Sequence, residues 1–502
     1  MSAMGKRAAR LVQAAAVVVA VAATFASAPK ADAGAVSSGP LVSISDPTVT
    51  GPTRGLIEAI APRWRAAGVD VASVTADWGQ IAPDPTAKNP PAGFDGSAPS
   101  SPGYNWDNLD RVIRVLRDNR IEPMLTITGP GPLWTSADPQ HGDPTTRPDA
   151  KLFAAFAKAV ALRYGATVDR YIIWYEPNDR ANLTPQYSCT KAVCEPRSPQ
   201  IYRTIFNEAV PAIRGADSTA AVYAGGLAAT GDAPKSENSA MPPVPWIRSF
   251  ACLDGHNLPE RTSLSCKSFT PSSIDGFAHH PAQRGAAPER HLPSSNDVGI
   301  SDTSRLIKVL DAAQASGGVI NHANEKARID LYYTEFGYQT NPPDVLNGVS
   351  FFAQDRWLQQ AAAIAYRQPR VRLLGQYLWR DQPIADNGDS FGGYSGTQSG
   401  LYMFDGTAKP AATSFTDPFW VSASAGKAHL WGQVRPGAQT TVTVDRQIGS
   451  AGFKAVQTVS TDTQGNFTLD LPMTIRSSYR YFWSSTPNGR RHYSSTMSVT
   501  PR

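Results

Sequence analysis

Two glutamates stand where chemistry would need them. The chain has ten glutamates against thirty-two aspartates, so each can be weighed by its position. In Tyr171-Ile172-Ile173-Trp174-Tyr175-Glu176-Pro177-Asn178 an apolar run ends in a carboxylate and proline closes the run at once. Asp330-Leu331-Tyr332-Tyr333-Thr334-Glu335-Phe336-Gly337 follows the same plan. The Glu-Pro pair itself means little, because Glu122-Pro123 and Glu195-Pro196 also occur, the first ahead of its apolar run and the second in a cysteine-containing loop. A pair of carboxyl groups held about 5 to 5.5 Å apart can divide the labour of displacement at an acetal carbon, one attacking while the other protonates the leaving oxygen. In that scheme ionised Glu335 keeps the proton on Glu176 until the ester forms; the repulsion then disappears and Glu176 becomes the base.

Such a pair needs a scaffold that brings two distant strand ends together. Eight strand-then-helix steps are readable before residue 418, from apolar runs followed by amphipathic segments. The expected strands are 41–46, 71–76, 123–128, 170–176, 221–225, 274–280, 329–335 and 373–379, with helices near 56–67, 108–119, 150–164, 201–215, 244–253, 303–316, 353–367 and 411–415. This alternation predicts an α/β fold, a (β/α)8 TIM barrel over residues 34–418, whose C-terminal strand ends form the active face. Glu176 then ends strand four and Glu335 strand seven. A doubly wound open sheet is the alternative, but no G-x-G-x-x-G follows the first strand. From residue 419 to 502, short strand-like runs separated by Arg435-Pro436-Gly437, Gln464-Gly465-Asn466 and Pro487-Asn488-Gly489 predict a small all-β, Ig- or fibronectin-like sandwich.

With both glutamates at strand ends, the chain resembles glycoside hydrolase clan A, and within it family 39 and the neighbouring cellulase-like members. The resemblance runs in order through Asp77-Trp78, Ile81-Ala82-Pro83, Tyr104-Asn105-Trp106, Pro132-Leu133-Trp134, Trp174 to Asn178, His280-Pro281, Thr334 to Gly337, Trp379, Gly400-Leu401 and Asp405-Gly406-Thr407. It implies Glu176 as acid/base and Glu335 as nucleophile of a retaining O-glycosyl hydrolase acting on oligo- or polysaccharides. Two positions depart from the family plan. Tyr175 stands where asparagine usually precedes the acid/base, and Thr75 stands where strand two usually offers arginine. The subsite beside the nucleophile therefore differs from the family's. A transglycosylase on the same scaffold, or a silent carbohydrate-binding or adhesion protein, are the alternative readings.

Candidate substrate contacts follow from strand position. His280 ends strand six, and His279 should face the opposite way, which argues against joint metal chelation. Tyr333 shares two-residue parity with Glu335 and is placed either below the nucleophile or in the barrel packing. Trp379, Trp78 and Trp134 are candidate sugar platforms. Tyr175 enters the list by its place before Glu176, and Asn178 either touches substrate or caps the turn after Pro177. Asp381, Asp386, Asn387 and Asp389 lack the spacing of a calcium loop, and no metal or organic cofactor is expected. The sandwich is expected to be a spacer, with Trp431, Tyr481 and Trp483 as the aromatics that would otherwise contact glycan.

The ends and the cysteines locate the chain. Lys6, Arg7 and Arg10 precede an Ala/Val-rich run, and Ala31-Asp32-Ala33 before Gly34 suits a signal peptidase, so residues 1–33 read as a signal peptide. The apolar run is shorter than the roughly 20 residues a spanning helix needs. Removing the leader takes Lys6, Arg7, Arg10, Lys30 and Asp32 and lowers the net charge from +5 to +2. No basic run suggests nucleic acid, no other segment could cross a membrane, and a monomer that is secreted or associated with the cell envelope is expected. In an oxidising compartment Cys189 with Cys194 and Cys252 with Cys266 would form local disulfides, other pairings and metal binding being the alternatives.

Overall fold

The structure is a computed structural model that describes residues 39–384 and 396–501, apart from 192, 264, 487 and 488. The leader 1–33, Asp386, Asn387 and Asp389, and Pro487 and Asn488 of one expected turn lie outside the described residues.

Eight parallel strands close into a barrel: β1 Leu41–Ser45, β2 Val71–Asp77, β3 Glu122–Thr128, β4 Arg170–Ile173, β5 Ala221–Ala228, β6 Gly276–His280, β7 Leu331–Phe336 and β8 Val371–Tyr377. Each pairs with its neighbours in sequence order, and β8 closes on β1 with Leu41 opposite Leu373. The helices that follow the strands are α1 Leu56–Ala66, α2 Asp107–Asp118, α3 Ala150–Tyr164, α4 Ser198–Ala216, α5 Pro243–Phe250, α6 Thr303–Ala315, α7 Phe351–Arg367 and α8 Pro410–Ser414, with a further single turn at Trp78–Ile81.

The elements form where the side-chain pattern favours them. In α2 the buried Leu109, Val112, Ile113 and Leu116 recur at helical spacing, so one stripe faces the sheet. Asp149 caps α3 by accepting from the amides of Lys151 and Leu152, at 2.9 and 3.0 Å. Strand alternation splits the apolar residues into two layers. Val71, Met124, Ile172, Tyr223, Ala278 and Leu373 fill the barrel interior, while the other parity packs outward against the helices. Tyr223 and Tyr332 stack inside, with ring centroids 4.2 Å apart. Layers this full make the barrel a packed core and confine open space to its ends.

The C-terminal part is a sandwich of two antiparallel sheets. One holds β9 Phe419–Ser424, β10 Lys427–Gln433 and β13 Asn466–Pro472; the other holds β11 Thr441–Ile448, β12 Lys454–Ser460, β14 Ser477–Ser484, β15 Arg491–Tyr493 and β16 Met497–Val499. Its core includes Phe419, Leu430, Trp431, Tyr479 and Tyr481, and it continues into the barrel through Ala362 and Ala363 of α7. Trp431 also meets Tyr366, and the Arg356 guanidinium lies over Trp420. Trp431 and Tyr481 are therefore core residues, and Trp483 is tied down by its indole N–H to Asp417 at 2.6 Å. Neither Trp431 nor Tyr481 is an open glycan contact, and Trp483 is half-buried.

Candidate active site

The strand carrying Glu176 stops earlier than its apolar pattern suggests. β4 ends at Ile173, and Trp174 and Glu176 then take left-handed backbone angles, φ +68° and +38°. Such non-glycine positions cost about 1–3 kcal/mol each and persist only where the surroundings hold them. Here Trp174 is fully buried beside Phe153, with ring centroids 5.2 Å apart, and donates to Asn182 O. The Tyr175 amide donates to Thr128 Oγ1 at 3.1 Å, and the Glu176 amide to Gly226 O at 2.9 Å. Gly225 and Gly226 of β5 both have positive φ, and a β-carbon on Gly225 would come within 2.4 Å of Ala278 O. Packing of four adjacent strand ends thus dictates where Glu176 points.

Glu335 is aimed by an irregularity in β7. Tyr333 pairs with Leu374 and Phe336 with Gln376, so β7 contains one residue more than β8 over that step. A bulge of this kind reverses two-residue parity. Tyr332 faces the barrel interior, Tyr333 faces outward with its hydroxyl 2.7 Å from Thr303 Oγ1, and Glu335 nonetheless faces the mouth. The parity that grouped Tyr333 with Glu335 does not hold, and Tyr333 is a packing residue of the outer layer.

The two carboxylates meet at His280. Its Nδ1 lies 2.8 Å from Glu176 Oε1 and 3.8 Å from Glu335 Oε2. The hydroxyls of Ser45 and Tyr175 donate to Glu335 Oε1 and Oε2 at 2.9 and 3.0 Å. Burial is the largest influence on Glu335 and raises its pKa; His280 opposes the rise, Glu176 adds to it, and the two hydroxyl donors oppose it. Burial disfavours charge on His280, but Glu335 and Glu176 outweigh it and its pKa rises. Burial first, then Glu335 and Glu176, hold the Tyr175 phenol far above its ordinary value, so it remains a donor. His279 faces outward, with Nε2 2.8 Å from Val298 O, and burial lowers its pKa to about 4. Among the described residues no group of three or more His, Cys, Asp or Glu is arranged to hold a metal.

Removing the Tyr175 hydroxyl has a signed consequence. The donated hydrogen bond favours the ionised form of Glu335. In Tyr175→Phe the Glu335 pKa therefore rises further, and the acidic limb of the kcat/KM profile moves to higher pH. The rate at the optimum should fall about 10- to 100-fold, the worth of a hydrogen bond to a charged group. A pH–rate profile checks this; an unmoved acidic limb would show that Tyr175 does not tune the carboxylate.

Other expected site residues fall outside the mouth. Asn178 is fully buried: its amide donates to Met241 O at 2.9 Å and Ala228 O at 3.2 Å, and its carbonyl accepts from Ala228 N at 2.9 Å. It ties the loop after Glu176 to the end of β5. Asn178→Ala should cost about 2–4 kcal/mol of stability by stranding those backbone groups, measured by denaturant unfolding; an unchanged midpoint would refute the tie. Trp78 stacks on Phe156 and edges onto Phe153, and Trp134 donates to Pro83 O and packs on Phe94. Both are buried by these contacts. Trp379 is 4% exposed, lying against Tyr402 with the Arg63 guanidinium over its ring. None of the three indoles is an open platform. Asp381 forms a buried pair with Lys409 at 2.7 Å. The disulfides are Cys189–Cys194 and Cys252–Cys266.

Two mouth residues were not anticipated. Ser45 ends β1, and Tyr377 ends β8, where burial first and then Glu335, Glu176 and Asp46 raise its pKa. Applying the strand-end rule to every strand, and not only to those ending in carboxylates, would have found both. Asp46, one residue on, accepts from the amides of Val49, Thr48, Trp379 and Arg380 and so locks the β1 and β8 ends together. At the same face, a groove of about 750 Å³ is lined by Thr75 and Asp77 of β2 together with Gln80, Asn105, Arg54 and Glu58.

No family model matches this sequence, and no curated protein matches it. Among solved structures, a glucosidase from Croceicoccus marinus is similar at 12% identity and TM-score 0.47, covering 86% of this chain and 93% of that one. The virulence factor SghA from Agrobacterium tumefaciens is similar at 13% identity and TM-score 0.44, covering 74% and 95%. A family 1 β-glucosidase from Thermotoga maritima is similar at 14% and TM-score 0.43, covering 75% and 96%. At these identities and scores, the functional reading rests on the side chains at the barrel mouth.

Proposed function

We propose that the protein is an exported retaining glycoside hydrolase that cleaves O-glycosidic bonds of oligo- or polysaccharides. The observation that carries this reading is the convergence of Glu176 and Glu335 on one nitrogen of His280. Their nearest oxygens can be no farther apart than the 2.8 and 3.8 Å contacts laid end to end. That bound leaves room for the roughly 5–5.5 Å carboxyl spacing of covalent catalysis.

The neighbours divide the roles. Both oxygens of Glu335 are held by hydroxyl donors, which fixes the carboxylate for attack on an anomeric carbon. Glu176 Oε1 is engaged by His280, while Oε2 has no hydrogen-bond partner among the described residues and is open to a leaving oxygen. In the first step a Glu335 oxygen bonds to the anomeric carbon as the glycosidic bond breaks, and the Glu176 proton goes to the departing oxygen. In the second, Glu176 takes a proton from water, the water oxygen bonds to the same carbon and the ester to Glu335 breaks. Export is supported by the leader-like residues 1–33 and by the two disulfides.

A panel of aryl glycosides followed by proton NMR of the first-formed sugar tests the reading. Retained anomeric configuration is expected. An inverted first product, or no turnover across the panel, overturns it. N-terminal sequencing of protein from the culture medium tests export, with Gly34 expected first; a chain starting at residue 1 would refute cleavage.

A further inference from the structure

The outer face of the five-stranded sheet of the sandwich carries rings and guanidinium groups in alternation. Arg480 lies 4.1 Å from the Phe453 ring centroid and 4.4 Å from that of Tyr493; Tyr493 is 5.4 Å from Phe482; and Arg491 lies 4.5 Å from Phe482. The series Phe453, Arg480, Tyr493, Phe482, Arg491 is thus one continuous strip. Strand alternation produces it. Tyr479 and Tyr481 of β14 turn inward and are fully buried, which leaves Arg480 and Phe482 outward, and register sets Phe482 beside Tyr493 of β15.

The strip is open and its charge is one-sided. Tyr493 is 41% exposed, and Arg491 is exposed with no ion pair among the described residues. Residues 419–502 contain nine Lys and Arg against three Asp and no Glu, whereas the rest of the chain has a net charge of −1. Of those aspartates, Asp445 pairs with Arg480 at 3.2 Å, Asp470 is held by His429 on the other sheet, and Asp462 accepts backbone amides in a turn. Charge is therefore concentrated on the sandwich; Arg491 is stacked so that ring contact uses its face and leaves its N–H edge free, while Arg480 gives its Nε–H to Asp445.

We infer that this strip is a binding surface for an anionic polysaccharide whose sugar rings carry carboxylates. Ring faces of Phe482 and Tyr493 accept the apolar faces of pyranose rings, and the free edge of the Arg491 guanidinium binds a carboxylate in bidentate geometry. A neutral glycan would make no use of the arginines. The surface lies on the sandwich and stands whether or not the barrel cleaves the same polymer.

The test uses the full chain carrying Glu335→Ala, so that no probe is consumed, in affinity electrophoresis against sodium polygalacturonate, dextran and an oligo-dT strand at matched ionic strength. Retardation by polygalacturonate alone, weakening with salt, is expected. Arg491→Gln and Tyr493→Ala should each weaken it about tenfold, equivalent to roughly 1.4 kcal/mol. Both side chains sit on an exposed edge strand, so the melting temperature should not move; it is measured in parallel, and Arg491→Lys, which keeps the charge but loses the planar fork, should fall between the parent and Arg491→Gln. Equal retardation by dextran, equal or tighter binding of oligo-dT, or unchanged affinity in both variants with the fold intact would each overturn the proposal.

Discussion

Replacing Glu335 by alanine should lower kcat/KM by roughly 10⁴- to 10⁶-fold, the scale seen when the attacking group of a covalent mechanism is removed. Among the described residues, neither hydroxyl that touches Glu335 is a ready substitute. Ser45 and Tyr175 donate to Glu335, and burial with two adjacent carboxylates keeps the Tyr175 phenol protonated. Turnover at the wild-type rate on an aryl glycoside would exclude the mechanism. The companion Glu335→Gln separates lost chemistry from lost fold. A folded-state carboxyl whose pKa is raised contributes stability at low pH and loses it as pH rises through that pKa. Glutamine has no such loss, so the melting temperature of the variant relative to wild type should rise as pH is raised above about 4, the unfolded-state range of a glutamate. A constant difference across that range would mean that burial of Glu335 carries no ionisation cost.

The second large effect is selective. Glu176→Ala should slow substrates with poor leaving groups by about 10²- to 10⁴-fold, the usual worth of a positioned proton donor, while activated aryl leaving groups keep a nearly normal first step. The second step then lacks its base, so the glycosyl ester on Glu335 should accumulate as a burst, and added azide should restore turnover by attacking in place of water. Equal losses across all leaving groups, with no burst and no azide rescue, would assign the proton transfer to another group. His280 is the informative comparison, because it contacts Glu176 at 2.8 Å yet is 7% exposed at its side chain. It can orient the acid but has little access to a leaving group.

Strand alternation predicts which side chains line the interior, and register shifts interrupt it between Gly225 and Leu227 of β5 and twice along the β7–β8 pairing, the last of them at the site. Up to Tyr333, β7 obeys it. The extra residue before Phe336 then turns Glu335 inward and leaves Tyr333 in the outer layer. A bulge has no signature in Tyr332-Tyr333-Thr334-Glu335, because it is fixed by pairing with β8. Trp78, Trp134 and Trp379 teach a related point. Each is an aromatic at or near a strand end, and each is buried, because neighbours distant in sequence, Phe153 and Phe156 of α3 for Trp78 and the loop residue Tyr402 for Trp379, supply apolar surface that the linear sequence does not reveal. Tyr377 and Ser45 were overlooked for the opposite reason: neither is charged, and both matter only through what faces them.

What the sequence determined by itself was local and periodic. Apolar spacing defined eight strand–helix steps and a β-rich tail, and strand-end position singled out Glu176 and Glu335, since periodicity and chain-terminating prolines act between near neighbours. What only the tertiary structure decided was convergence. That His280 lies between the two carboxylates, that a β1 hydroxyl and Tyr175 hold Glu335, and that arginines and rings interleave on the sandwich all depend on strands brought together from distant parts of the chain. Such contacts are set by register and closure of the sheets, which no single segment specifies.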